Sequence, residues 1–222
     1  MEDSKIYALV DHTLLAATSK WDEIVTLCDE AIRFKCASVC IPPSFIKRVH
    51  DKYGSSLTIC TVIGFPLGYS SLDAKRVEIE NAVKDGATEL DVVINVGDAK
   101  DGNFDKITSE LTALKKAAGS NILKVIIECC YLTEAEKIAL CKCVTESKSD
   151  YIKTSTGFGT GGATLDDIRL FKKHIGSDVK MKAAGGMRTR EDFVAFINEG
   201  CSRLGTSSAV KVLTGGADLG AY

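Results

Sequence analysis

The sequence predicts one α/β domain, a (β/α)8 or TIM barrel spanning residues 1–222, with a mobile C-terminal tail. Three observations lead there. Short β-branched runs alternate with longer amphipathic stretches about eight times. The connections between them are short. And 222 residues is a familiar size for one such barrel, ~200–250 residues. Parallel neighbours need a crossover, usually a helix, so this alternation argues for parallel pairing. The rival is an open doubly wound sheet. Its usual mark is a GxGxxG turn after the first strand, and here that turn reads DHTLLAATS.

Strands are expected at residues 8–11, 38–41, 58–63, 89–94, 124–128, 151–154, 179–183 and 203–205. Helices are expected at 21–34, 43–52, 72–85, 104–118, 133–147, 165–175, 190–199 and 207–213. In the first of these helices Ile24, Leu27, Cys28, Ala31 and Ile32 form one stripe with charges opposite. Thr133 followed by Glu136 reads as a capping box ahead of Ile138 and Leu140.

Composition excludes several partner classes. A formal net charge of -2, with basic residues no denser than the doublets Lys47-Arg48 and Lys115-Lys116, gives no electrostatic footprint for nucleic acid. No run approaches the ~20 apolar residues of a membrane span. The 45% hydrophobic and 26% charged fractions are those of an ordinary globular chain. Nine cysteines, an odd number behind a start that reads MEDSKIYALV, fit free thiols in a reducing cytosol better than a secreted disulfide framework. Cys36 and Cys40 have a spacing found among zinc ligands. Yet Cys40 lies in the apolar run SVCI, and His12, His50 and His174 are scattered, so no metal site is expected.

In a barrel, chemistry gathers at the C-terminal ends of the strands and in the loops that follow. Here those loops read GFPLGYSS, NVGDAKDGN, KTSTGFGTGGAT, KAAGGMRT and GTSSAV, rich in glycine and polar residues. Lys153 ends a strand, where an unpaired ammonium in the interior is costly; it is either a solvated edge residue or a functional amine. Lys182 ends the next strand, which brings both ammonium groups into one mouth. A nucleophilic amine must be unprotonated, and a second cation helps. Moving an amine from ~10.4 to near 7 takes ~4.6 kcal/mol, and repulsion at ~4 Å in an effective dielectric of ~20 supplies ~4 kcal/mol. Lys153 is therefore expected to be the nucleophile and Lys182 its electrostatic activator, with Lys180 solvated or ion-paired. Asp91, in ELDVVIN, is either half of a structural ion pair or a proton-transfer group that keeps Lys182 charged. Asp11, in LVDHTLL, either caps a strand end or joins the same network. Gly185 and Gly186, with Gly205, Ser207 and Ser208 before a final helix, suggest anion binding by backbone amides and hydroxyls, and Arg188 can add a charge-assisted contact.

The blocks YIKTSTGFGTGGAT, KAAGGMRTREDF, ELDVVINVG and SVCIPPSF together resemble the deoxyribose-phosphate aldolases, and the resemblance covers essentially the whole chain. It implies a (β/α)8 barrel without metal or organic cofactor. The activity it implies is reversible cleavage of 2-deoxy-D-ribose 5-phosphate into D-glyceraldehyde 3-phosphate and acetaldehyde. A sugar phosphate and an aldehyde would then be the partners, with a homodimer a common assembly. Carried onto this chain, the imine lysine matches Lys153, the second lysine Lys182 and the proton-transfer aspartate Asp91. The substrate and phosphate contacts match Thr156, Gly157, Gly185, Gly186, Gly205, Ser207 and Ser208. A closing tyrosine that assists proton exchange matches Tyr222; the alternative is a frayed terminus. Some members carry a phosphate-binding lysine after TSTG, where this chain has Phe158, so phosphate would rest more on backbone amides at 159–162 and in the last two loops. Cys40 is expected to face the mouth and to sensitise the enzyme to excess aldehyde or oxidant. Two alternatives stay open: an aldolase acting on another sugar phosphate, and a catalytically silent sugar-phosphate sensor. The combination of Lys153, Lys182 and Asp91 argues against the second.

Overall fold

Eight short, wholly parallel strands close on themselves, because the last strand pairs with the first as well as with the seventh. The structure is a computed structural model, and it describes residues 1–215; Tyr222 lies outside them. The strands are β1 (Val10–Thr13), β2 (Ser38–Ile41), β3 (Ile59–Ile63), β4 (Glu89–Val93), β5 (Ile122–Ile126), β6 (Tyr151–Lys153), β7 (Lys180–Ala184) and β8 (Arg203–Thr206). The helices are α1 (Asp3–Tyr7), α2 (Trp21–Phe34), α3 (Ile46–Tyr53), α4 (Leu72–Asp85), α5 (Val96–Lys100), α6 (Phe104–Ala118), α7 (Glu134–Glu146), α8 (Leu165–His174), α9 (Arg190–Asn198) and α10 (Ala209–Leu213). The expected (β/α)8 barrel is therefore the fold.

The apolar core is a shell between strands and helices. Alternate strand residues such as Val10, Val39, Leu90, Val125, Ile152 and Leu204 face outward. They meet helix stripes such as Ile24, Leu27, Cys28 and Ala31 of α2, and Ile107, Leu111 and Leu114 of α6. The intervening strand residues point into the barrel, by the two-residue period of a strand. Inside, the filling is mostly polar: Asp11, Ser38, Glu89, Asp91, Lys124, Lys153 and Lys182 are all buried, where barrels usually stack branched apolar side chains. The cysteines behave as expected. All nine are free thiols and seven are buried.

Helix starts follow the local chemistry. Thr133 Oγ1 accepts from the Glu136 backbone while the Glu136 carboxylate accepts from the Thr133 N–H, the box expected from sequence. Thr189 and Asp192 repeat it on α9.

Several boundaries differ from expectation. The first strand starts two residues later than 8–11, because α1 continues to Tyr7, whose ring stacks on Phe34 at 4.9 Å. The fifth strand starts two residues earlier than 124–128 and ends at Ile126. Glu128 cannot belong to it, since its φ of 56° is left-handed. A short helix, α5, occupies part of the NVGDAKDGN segment read as loop, with the Asn95 side chain accepting from the Gly97 N–H. Both strand shifts move charged residues from strand ends into the barrel.

If the shell carries the stability, truncating it should be expensive. Phe171 of α8 is fully buried, so Phe171→Ala should cost about 3–5 kcal/mol in urea unfolding. A loss under about 1 kcal/mol would place the core elsewhere.

Candidate active site

Strand register assembles the charged cluster. Asp91 is paired with Lys124 across β4 and β5, Lys153 with Lys182 across β6 and β7, and Lys182 with Arg203 across β7 and β8. Barrel closure then brings β4 opposite β6, β7 and β8. One oxygen of Asp91, Oδ2, accepts from Lys153 Nζ at 2.7 Å and from Lys182 Nζ at 2.6 Å. The two amines are therefore no farther apart than those two contacts laid end to end, as the expectation of a shared mouth requires. The other oxygen, Oδ1, accepts from Lys124 Nζ at 2.8 Å and from the Cys60 thiol at 3.2 Å. Lys182 also donates to Asp11 Oδ2. Lys124 lies 2.7 Å from Glu89 and 3.5 Å from Asp11. Arg203 bonds Asp11 and grips both oxygens of Glu89 at 2.7 and 3.1 Å.

These contacts decide the charge states. Burial pushes the Asp91 carboxyl up, but Lys124, Lys153 and Lys182 outweigh it and hold it well below the usual carboxylate range. Asp11 behaves alike: burial opposes its charge, and Lys124, Lys182 and Arg203 together pull it down. Burial likewise opposes the charge on Lys182, yet Asp11 and Asp91 raise its pKa above the ordinary value. Lys182 is thus a fixed cation. The two lysines do not face each other bare, as the sequence had suggested, but bracket a carboxylate oxygen. Simple repulsion is replaced by a competition for one anion.

Lys153 is the point where this cluster meets solvent-accessible space. It lies in the floor of a cavity of about 260 Å³, just under the ~300–1,000 Å³ of typical small-molecule pockets and so suited to a small ligand. Every residue expected to contact substrate or phosphate lines this cavity except Cys40: Thr156, Gly157, Gly185, Gly186, Arg188, Gly205, Ser207 and Ser208. The loops after β6 and β7 meet backbone to backbone. A Cβ on Gly162 would come within 2.5 Å of the Gly185 carbonyl carbon, and Ala163 N–H donates to the Ala184 and Gly185 carbonyls at 3.1 Å. Only glycine permits that approach. Phe158 lines the same cavity and sets its ring edge-on to Phe65 at 5.3 Å, bridging the loops after β3 and β6.

Of the two readings of Asp11, the geometry favours the network: it is the second residue of β1, fully buried, and hydrogen-bonded to Ser38, Lys182 and Arg203. Three expectations need correction. Lys182 lies in mid-strand rather than at a strand end, one layer below the mouth, while Asp91 lies inside its strand as expected. Helix α10 is a single turn, too short for much of a dipole, so the Ser207–Ser208 segment offers backbone and hydroxyl groups rather than a helix terminus. Cys40 is 1% exposed and sits with Cys60 and Val62 inside the barrel instead of facing the mouth. A hydrogen bond with Cys60 is the main force lowering its thiol pKa; burial and Asp91 oppose it, and Lys182 and Lys153 assist it. Lys180 is exposed, as expected, with its ammonium 5.7 Å from the Tyr151 ring centroid.

Sequence reasoning missed five residues. Lys124, Glu89 and Arg203 complete the buried ion network, and Cys60 donates into it. Glu128, reached at the end of the fifth strand, accepts from the Thr156 N–H at 3.1 Å and from its hydroxyl, locking the first turn of the loop after β6. The available signal was the two-residue period: Glu89 shares a face with Asp91, and Lys124 lies opposite it once register is known. Cys40, Cys60 and Asp91, and likewise Asp11, Cys60 and Glu89, have ligand atoms close enough to surround a metal ion. However, their carboxylate oxygens already accept from Lys124, Lys182 and Arg203, which leaves a dication few free lone pairs and four cationic neighbours.

The depressed Asp11 carboxyl gives a signed prediction. Because its folded pKa lies below the unfolded value of ~3.9, its stabilisation is fully present above that value and is lost as pH falls below it. Asp11→Asn should therefore cost about 3–5 kcal/mol at pH 7, since it strips Lys182 and Arg203 of one carboxylate each. In urea titrations the gap from the parent should narrow toward pH 3; a gap independent of pH would refute the assignment.

Comparison with known proteins agrees with this architecture. The chain is 60% identical over 215 residues to a deoxyribose-phosphate aldolase of Clostridium botulinum, covering 97% of both. Among solved structures, a putative deoxyribose-phosphate aldolase from Coccidioides immitis superposes with a TM-score of 0.92 at 35% identity, covering 96% of this chain and 86% of that one. The deoxyribose phosphate aldolase of Aeropyrum pernix, described as tetrameric, gives 0.90 at 28% identity, covering 96% and 91%. No helix among the described residues is long and apolar enough to cross a membrane. The family model for DeoC/LacD aldolases matches residues 5–217, and the chain belongs to that family.

Proposed function

We propose that this chain is a deoxyribose-phosphate aldolase that reversibly cleaves 2-deoxy-D-ribose 5-phosphate into D-glyceraldehyde 3-phosphate and acetaldehyde through an imine on Lys153. The observation that carries the reading is a lysine amine lining a cavity, 2.7 Å from a buried carboxylate oxygen that a second, fully buried lysine also holds.

The neutral Lys153 amine adds to the C1 aldehyde of the open-chain sugar, giving a carbinolamine. Loss of water forms the protonated imine, an electron sink. The pair in the C2–C3 bond then moves toward the iminium while the C3 hydroxyl loses its proton, releasing glyceraldehyde 3-phosphate and leaving an enamine. Protonation at C2 regenerates the imine, and water hydrolyses it to acetaldehyde and free Lys153. Asp91 sits beside the nitrogen that gains and loses protons, so it is the proton-transfer group nearest the chemistry. Three cations keep its resting form ionised, which makes it a brief stop for a proton rather than a store. Lys182 and Asp11 hold that carboxylate in place.

The phosphate is assigned to the part of the cavity lined by Gly185, Gly186, Gly205, Ser207, Ser208 and Arg188. With Phe158 in place of a lysine, its affinity rests on backbone amides and hydroxyls, with Arg188 adding charge. Tyr222, outside the described residues, is retained as a candidate for proton exchange at C2. Nine free thiols fit a reducing, cytoplasmic setting.

Trapping tests the reading directly. Reduction with borohydride in the presence of acetaldehyde should place an ethyl group on Lys153, read by peptide mass analysis, and Lys153→Ala should lose both label and turnover. Turnover surviving in Lys153→Ala, or label on another lysine alone, would overturn it.

A further inference from the structure

One ion-pair network inside the barrel joins three carboxylates, Asp11, Glu89 and Asp91, to four cations, Lys124, Lys153, Lys182 and Arg203; the buried Glu128, past the end of β5, bonds Thr156 and stands outside it. One cation is in surplus, and the contacts identify it. Lys124 lies within ion-pair distance of all three carboxylates, Lys182 touches Asp11 and Asp91, and Arg203 touches Asp11 and Glu89. Lys153 touches Asp91 alone, on an oxygen already shared with Lys182. It is also the member of the four that lines the cavity. Losing a proton from Lys153 leaves three charges of each sign in the network; losing one from any other cation strips at least two carboxylates of a partner.

We propose that Lys124 is a positioning residue for imine formation: by engaging Asp91 Oδ1 and Glu89 from the layer below, it makes Lys153 the surplus cation and sets the acid limb of its reaction with aldehydes. This deepens the aldolase reading and rests on it. Lys124, which does not line the cavity, lies 2.8 Å from Asp91 Oδ1, so Oδ2 is left to Lys153 and Lys182. The Cys60 thiol supports the same arrangement by donating to Oδ1 while accepting from Lys124 at 3.2 Å. The groups that face this centre come from every strand: Asp11 on β1, Cys40 on β2, Cys60 on β3, Glu89 and Asp91 on β4, Lys124 on β5, Tyr151 beside Lys153 on β6, Lys182 on β7 and Arg203 on β8. No anion of this set besides Asp91 is in ion-pair contact with Lys153.

The count makes predictions of opposite sign. Lys124→Met removes the surplus, so Lys153 keeps its proton to higher pH. Glu89→Gln adds a second surplus positive charge and favours the neutral amine at lower pH. The pair of substitutions together restores one excess cation, two carboxylates against three. The measurement is the rate of ethyl-group incorporation at Lys153 from acetaldehyde and cyanoborohydride between pH 5 and pH 9, for the whole chain and each variant. With one carboxylate separating Lys124 from Lys153, the midpoint of the acid limb should rise by about one pH unit or more in Lys124→Met. It should fall in Glu89→Gln, by less because Glu89 lies a layer deeper, and return to within a few tenths of a unit of the parent in the double variant. A purely structural role would lower the plateau at every pH and leave the midpoint in place, and that result overturns the proposal. So does movement of both single variants in one direction. If Lys124→Met does not fold, the sign of the Glu89→Gln shift decides. A parent that takes no label at Lys153 would instead remove the aldolase reading beneath it.

Discussion

The sharing of one buried carboxylate by three lysine amines is the constraint on which the rest of the molecule turns. Asp91 accepts from Lys153 and Lys182 on one oxygen and from Lys124 on the other, and these donors come from three different strands. No local segment could assemble that geometry. It exists because the sheet closes, bringing β4 opposite β6 and β7 across the barrel. Taking charges out of water is expensive, and mutual attraction offsets the cost only when hydrogen bonding is nearly complete. Here the oxygens of Asp11, Glu89 and Asp91 are all engaged, so the network tolerates burial without being a source of net stability.

Stability must then come from elsewhere, and the division is visible in the strands. Outward residues of each strand belong to one continuous apolar shell with the helices, while inward residues belong to the ion network and the small Cys40, Cys60 and Val62 cluster. The two-residue period assigns alternate positions of the same strand to opposite tasks. Chemistry can be rearranged on the inner face without repacking the outer one. The converse also holds: a substitution such as the truncation of Phe171 acts on the shell and leaves the charge count inside unchanged.

That division explains what could be read in the sequence. Alternation of strands and helices identified the barrel, because the shell residues carry the periodicity. Lys153 and Lys182 stood out because each follows an apolar run and precedes glycines. Lys124, Glu89 and Arg203 did not, since each was placed at the first residue of a strand, where a charged side chain ordinarily meets solvent. The fifth strand in fact begins at Ile122, which buries Lys124. Glu89 and Arg203 do begin their strands, yet they close the lower barrel by pairing with one another. Such pairing depends on register around a closed sheet, and no single segment records it. The surplus of one cation was invisible for the same reason, as counting buried charges requires knowing which ones are buried.

Depth inside the barrel separates three tasks. At the rim, glycine loops approach each other so closely that a Cβ on Gly162 would strike the backbone at Gly185, which leaves amides and hydroxyls as the surface presented to an anion. One layer in, Lys153 presents the amine proposed as the nucleophile. Below it, Lys182 and Lys124 hold positive charge around the Asp91 carboxylate. On the proposed reading, an anion at the rim adds negative potential near Lys153, so phosphate binding by itself opposes formation of the nucleophile. The surplus positive charge beneath acts in the opposite sense. A site that binds phosphate above an amine therefore needs cations below it, and the fully buried Lys124 and Lys182 occupy the layer where that opposing charge can act without blocking the cavity.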